Sequence, residues 1–180
     1  PEHRRGPRPE TNGEKMGEWG FVSKNASARL QTNFGLQTWN SIRSLDFILS
    51  LDGVDANRIL VTGASGGATQ TMMVSALDER VTATFPCVMV STAMQGGCTC
   101  ENGHYLRIGQ GNIDIVAAVA PRPLGLTAAD DWTIELKEKG HPDLNKLYQM
   151  IGAKGKYEAH FDIHFKHNYN HVSRTHLYQF

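Results

Sequence analysis

The sequence has no excess of either charge. Its 180 residues carry 18 basic and 18 acidic side chains, a formal net charge of zero. Binding to a phosphate backbone needs a basic surplus or a basic patch, so the balance argues against nucleic acid as the partner. The basic cluster His3-Arg4-Arg5-Gly6-Pro7-Arg8-Pro9 is broken by Pro and Gly and reads as a loose tail. No apolar run approaches the ~18–20 residues of a membrane span, so no membrane partner is expected. Cysteine is scarce: three residues, an odd number. Cys87, inside TFPCVMV, reads as a small buried apolar residue. Cys98 and Cys100 form a C-x-C in a glycine-rich stretch without further ligands at metal spacing, so no metal is expected. The chain opens on Pro1-Glu2-His3 with no leader pattern. A leader absent from this sequence leaves secretion or the periplasm open, and the compartment is not assigned.

What is present is an alternation of elements. Residues 1–34 are rich in Pro, Gly, Asn and charge, and are predicted to be irregular. Residues 36–51 place Trp39, Ile42, Leu45 and Ile48/Leu49 at helical spacing. Strands are predicted over 58–62, 81–90, 124–128 and 156–161. Helices are predicted over 66–77, 112–120 (with Asn112 as N-cap), 141–152 and from about 170 onward. Pro86 inside the second strand predicts a late start or a place near an edge. Strand-helix alternation predicts an α/β fold, a parallel sheet with helices on both faces. Residues 91–111 form a long glycine-rich loop, a length that usually carries function.

The sharpest motif is RILVTGASGGATQ, residues 58–70. A strand stops at Gly63-Ala64-Ser65-Gly66-Gly67 and a helix begins. Gly-x-Ser-x-Gly at such a corner forces the serine into a strained turn, with its hydroxyl above the sheet. The residues two before and two after should be small, because side chains there would collide. The helix end supplies free N–H groups and partial positive charge, which places the Gly66 N–H to stabilise an oxyanion. A serine-capped turn would give the same letters. A dinucleotide site fits worse: G-x-G-x-x-G is absent, and no acidic residue ends the next strand near Val90.

A serine hydroxyl needs a base. In this fold the order is serine, acid, histidine. Asp130 and Asp131 follow the third strand, and both cannot face one histidine. Five histidines crowd the end: His160, His164, His167, His171 and His176. Of these, His164 or His167 fits the loop after the fourth strand. All of this chemistry gathers at the C-terminal edge of a parallel sheet, where open α/β folds place their sites.

Together VTGASGGATQT, GGCTCENG, NIDIVAAVAPRPL, DWT and HNYNHVSR resemble the α/β-hydrolase superfamily. More narrowly, they resemble bacterial acetylxylan-esterase-like and prolyl-oligopeptidase-like serine hydrolases. The resemblance covers roughly residues 35–180 and implies the C-terminal part of the catalytic domain, after an irregular segment 1–34. It implies Ser65 as nucleophile, Asp131 as acid and His167 as base. Asp130 stands where relatives usually carry glycine. About four strands are counted where the fold has about eight, and the loop that donates the second oxyanion N–H is not seen. The first strand would then be an open edge, covered by residues 1–34 or by another chain such as a second copy, or else left bare at a cost in stability.

The resemblance implies a serine ester hydrolase working through an acyl-enzyme. It would need no cofactor and would act on a small acyl ester of a sugar or similar alcohol. Glu101, Asn102 and His104, in the long loop, are the candidates for polar contacts with substrate. A peptidase with the same triad, and a catalytically incompetent remnant or binding module on the same fold, are the competing expectations.

Overall fold

Four short runs, each five residues long, become the sheet. A computed structural model describes residues 24–92, 101, 103, 106 and 108–180. The strands are β1 (Leu60–Ala64), β2 (Ala83–Cys87), β3 (Leu124–Ala128) and β4 (Tyr157–Phe161). They lie in the order β1-β2-β3-β4, and every pair is parallel. The helices are α1 (Lys24–Ala28), α2 (Asn33–Leu49), α3 (Gly66–Leu77), α4 (Asn112–Ala117), α5 (Leu136–Lys139), α6 (His141–Met150) and α7 (His171–Gln179).

Side chains alternate across a strand, so the register sorts them onto two faces. On one face Leu124, Leu126, Ala128, Tyr157, Ala159 and Phe161 meet Met72 and Met73 of α3, Val116 of α4, and Leu144 and Tyr148 of α6. On the other, Phe85 and Cys87 pack with Tyr169, Leu177 and Phe180 from the C-terminal segment. Helices thus cover both faces. The rings of Phe85 and Phe180 are 5.2 Å apart. Gly125 makes room for them: a Cβ there would lie 2.3 Å from the Phe85 ring.

Local signals explain most element ends. Thr32 caps α2 by accepting from Gly35 N at 3.0 Å. Asn170 caps α7, accepting from Val172 N and Ser173 N. Gly152, at φ +72°, follows the end of α6. The orphan carbonyls at the end of α3 are taken by a distant side chain. The Arg122 guanidinium donates to Ser75 O at 2.6 Å, Val81 O at 2.7 Å and Asp78 O at 3.2 Å.

Three expectations are corrected. Lys24–Ala28 is a helix, and α2 begins at Asn33, so residues 24–34 are not irregular throughout. Pro86 sits inside β2, an interior strand, opposite Gly63. Thr84 N donates to Pro123 O and Val88 N to Thr127 O, and Pro86 falls midway between these two donors. The β2–β3 ladder therefore gives up one bond there and keeps its pairing at Thr84–Leu124 and Cys87–Thr127. Asn112 is not the N-cap. It is the first residue of α4, buried, and its side chain donates to Met89 O at 2.9 Å. Gly111 takes the cap position, and the Asp114 carboxylate accepts from its N–H.

β1 is the sheet edge expected from the sequence, and Leu60 on it is 43% exposed. A groove of about 510 Å³ runs between it and α2, lined by Ser41, Ile48, Leu60, Thr62 and Gln70 among others. Among the described residues no helix is long and apolar enough to cross a membrane.

Candidate active site

Ser65 stands between β1 and α3 with φ 56° and ψ −127°. This is a left-handed backbone that a side-chain-bearing residue holds only under strain. The surroundings enforce it. Ser65 N donates to Cys87 O at 3.0 Å, and Ser65 O accepts from Thr69 N at 3.0 Å. Gly63 is a steric requirement, since a Cβ there would sit 2.6 Å from the carbonyl of Gly67. Gly67 is different: a Cβ there would meet nothing within 4 Å. The corner is tight because the backbone of Gly67 occupies the space above Gly63. The need for a small residue therefore falls on the first glycine alone. Val88, directly after Cys87, also has a positive φ, 47°, unusual for a β-branched residue. Nothing in the sequence signals it.

Gly66 opens the 12-residue helix α3. Its N–H belongs to the first turn, where amides have no intrahelical acceptor and the helix dipole is positive. It stands directly after the serine.

The turn after β3 resolves the choice between adjacent aspartates. Asp130 is exposed, and its N–H donates to Phe165 O at 2.8 Å. The Asp131 side chain is only 8% exposed. Its Oδ1 accepts from Thr133 N at 2.7 Å and Thr133 Oγ1 at 2.6 Å. Its Oδ2 lies 2.7 Å from His167 Nδ1. Thr133 Oγ1 in turn accepts from Ala129 N, so the carboxylate is tied to the end of β3. Burial pushes the Asp131 carboxyl up. The hydrogen bonds from His167 and Thr133, with the nearby imidazole charge, outweigh it and hold the group below the usual carboxylate range.

That direction assigns the imidazole proton. An ionised carboxylate only accepts, so His167 Nδ1 must donate in the 2.7 Å bond. In the neutral ring, Nε2 then carries the lone pair and can take a proton. The ring also lies against Trp132, with centroids 4.8 Å apart and planes 31° apart.

A long-range contact carries the histidine loop across the sheet. Tyr169 OH is 3.0 Å from Thr62 Oγ1. Thr62 Oγ1 already donates to Phe85 O at 2.8 Å, so Tyr169 is the donor between the two hydroxyls. Thr62 lies three residues before Ser65, and Tyr169 two after His167. The serine and the imidazole therefore share the C-terminal rim of the sheet. Ser65 Oγ caps nothing, and among the described residues no hydrogen bond joins it to His167.

The other candidates fall apart from this group. His164 is exposed. His160, on β4, stacks on His176 of α7 at 3.8 Å, and both pair with carboxylates, Glu158 and Asp162. Glu101 is buried at 6% exposure and has a polar partner. Asn102 and His104 lie outside the described residues, as do Cys98 and Cys100. Among the described residues no cluster of three metal-ligating side chains occurs. Sequence reasoning missed Thr133, Trp132, Thr62 and Tyr169. A threonine two residues after an aspartate is a readable side-chain-to-backbone turn signal; the other three carry none.

The family model described as acetyl xylan esterase matches residues 11–93, which includes Ser65 and stops before Asp131 and His167. Methylesterase BT1017 superposes with a TM-score of 0.79 at 30% identity, over 87% of this chain and 36% of its own. A carbohydrate esterase family 15 glucuronoyl esterase from Caldicellulosiruptor kristjansonii gives 0.61 at 18% identity, over 78% of this chain and 47% of its own. The acetyl xylan esterase from Paenibacillus sp. R4 gives 0.56 at 16%, over 83% and 52%. These two lower identities speak for the fold alone. The chain spans between about a third and a half of the length of these structures. No curated protein sequence matches it.

Proposed function

From an α/β-hydrolase fold and an acetyl-xylan-esterase-like sequence as premise, we propose that this chain carries the acyl-transfer site of a serine hydrolase acting on carbohydrate esters. The observation that carries the reading is the Asp131–His167 pair at 2.7 Å on the rim that also holds the strained Ser65. Ser65 Oγ attacks the ester carbonyl while His167 Nε2 takes its proton. The Asp131 carboxylate fixes the tautomer and stabilises the imidazolium. The Gly66 N–H donates to the tetrahedral oxyanion. Collapse expels the alcohol, which takes the proton from His167, and leaves an acyl-serine. Water then repeats the sequence and releases the acid.

Two ester classes suit this chemistry. One is an acyl group on a sugar hydroxyl, in line with the matching family model. The other is a methyl uronate, the ligand bound in one solved glucuronoyl esterase of this fold, from Sporotrichum thermophile. The acyl sugar is the primary reading, because the matched stretch contains the elbow itself.

The test is fluorophosphonate labelling of the folded chain, followed by hydrolysis of acetylated xylan and of a methyl uronate. Labelling is expected at Ser65, gone in Ser65→Ala and slowed at least about 10³-fold in His167→Ala. One oxyanion donor alone works about 10²–10³-fold below a complete site, which sets the turnover to look for. No labelling of folded protein would mean a catalytically incompetent chain. Faster cleavage of an amide than of the matched ester would mean a peptidase.

A further inference from the structure

We infer that Trp132 is a positioning residue for the His167 imidazole, an inference that rests on the reading of His167 as the base. A single hydrogen bond does not fix a ring. The Nδ1–Asp131 contact of 2.7 Å leaves the imidazole free to pivot about that bond. The indole removes the remaining freedom. It lies 4.8 Å from the imidazole centroid, tilted at 31°. One short segment thus grips the ring twice, by its edge through Asp131 and by its face through Trp132.

The placement of the indole follows from the same turn that fixes the acid. Asp131 is extended, at φ −154° and ψ −157°, and a 3₁₀ turn begins at Trp132. Thr133 is fully buried and bonded to Asp131. With both neighbours anchored, Trp132 can only project outward beside the carboxylate. It is 39% exposed, a large apolar side chain left partly in water. Burial does not explain it; the contact with His167 does.

The inference predicts that the aromatic face, rather than bulk, is what matters. Trp132→Phe keeps a face, and Trp132→Leu keeps apolar volume without one. The first readout is the His167 ring proton signals by NMR in the full chain, assigned by their absence in His167→Ala. The second is the rate of fluorophosphonate labelling at Ser65. In the wild type the ring protons should be displaced by the indole ring current and sharp. In Trp132→Leu they should return to ordinary positions and broaden, with labelling slowed about 3–10-fold, the scale of one aromatic contact. Trp132→Phe should restore most of both, and kcat on a small acetyl ester should fall in Trp132→Leu more than KM rises.

Unchanged His167 signals in folded Trp132→Leu would overturn the inference. So would a defect confined to KM for a sugar ester, which would make the indole a sugar platform instead. A wild type that does not label at all would overturn the ester-hydrolase reading, and the NMR arm would still decide whether the indole holds the ring.

Discussion

Thr62 and Tyr169 are 107 residues apart in the chain, and their hydroxyls meet at 3.0 Å. Thr62 ends its own donor capacity on Phe85 O, so it receives the tyrosine proton. The bond joins the strand that delivers the serine to the loop that delivers the histidine. It ties the chain three residues before Ser65 to the chain two residues after His167. Burial pushes the Tyr169 hydroxyl above its ordinary pKa, which keeps its proton in place near neutral pH.

Removing this bond should therefore be felt twice. Tyr169→Phe should cost about 1 kcal/mol of stability, the net worth of one hydrogen bond. Thr62→Val should cost more, about 1–3 kcal/mol, because it leaves the Tyr169 hydroxyl without its acceptor. Chemical denaturation of both singles and the double variant gives the coupling. A coupling near zero would show that the two hydroxyls merely lie close together. Labelling at Ser65 should slow in each single variant as the histidine loop loosens.

The two glycines of the elbow should respond in opposite ways. Gly63→Ala forces a Cβ to 2.6 Å from the Gly67 carbonyl, against backbone that cannot swing aside. Overpacking of this kind costs about 1–3 kcal/mol. Gly67→Ala meets open space within a helix, so it should stabilise by about 0.5–1 kcal/mol. Thermal unfolding of the two variants is sufficient. Equal loss in both would restore the symmetric steric rule.

The Asp131 carboxyl predicts a pH dependence. Its pKa is lowered on folding, so its contribution to stability is present above the unfolded value and is lost as pH falls through the folded one. Asp131→Asn removes that contribution. The variant should be less stable than the wild type at pH 6, and the gap should narrow steadily between pH 4 and pH 2. A gap that is constant or widens over that range would contradict the lowered pKa. Thermal melts of both proteins across the range measure it.

The order of elements was readable because it depends on neighbours in the chain. Hydrophobic period, glycine at corners and caps at helix starts are local, and α3 (66–77) and β3 (124–128) fall where these signals put them. The elbow was readable for the same reason: its strain lies within five consecutive residues. Pro86 and Asn112 were misread because their settings are not local. Pro86 is tolerated inside the sheet because β2 keeps its pairing with β3 on either side of it. Asn112 is drawn from the cap by Met89, 23 residues away.

The sequence by itself determined that a serine stands at a strand-to-helix corner, with acids and histidines at the ends of later strands. Spacing left two adjacent aspartates equivalent and several histidines eligible, and only the resemblance singled out Asp131 and His167. The tertiary structure decided between them, turning Asp131 inward onto Thr133 and His167 and sending Asp130 to solvent. It also stacked His160 on His176 and set Trp132 against His167. The physical reason is that composition and periodicity act over a few residues, while pairing between side chains on different strands depends on sheet register and loop path, which exist only once the chain has folded.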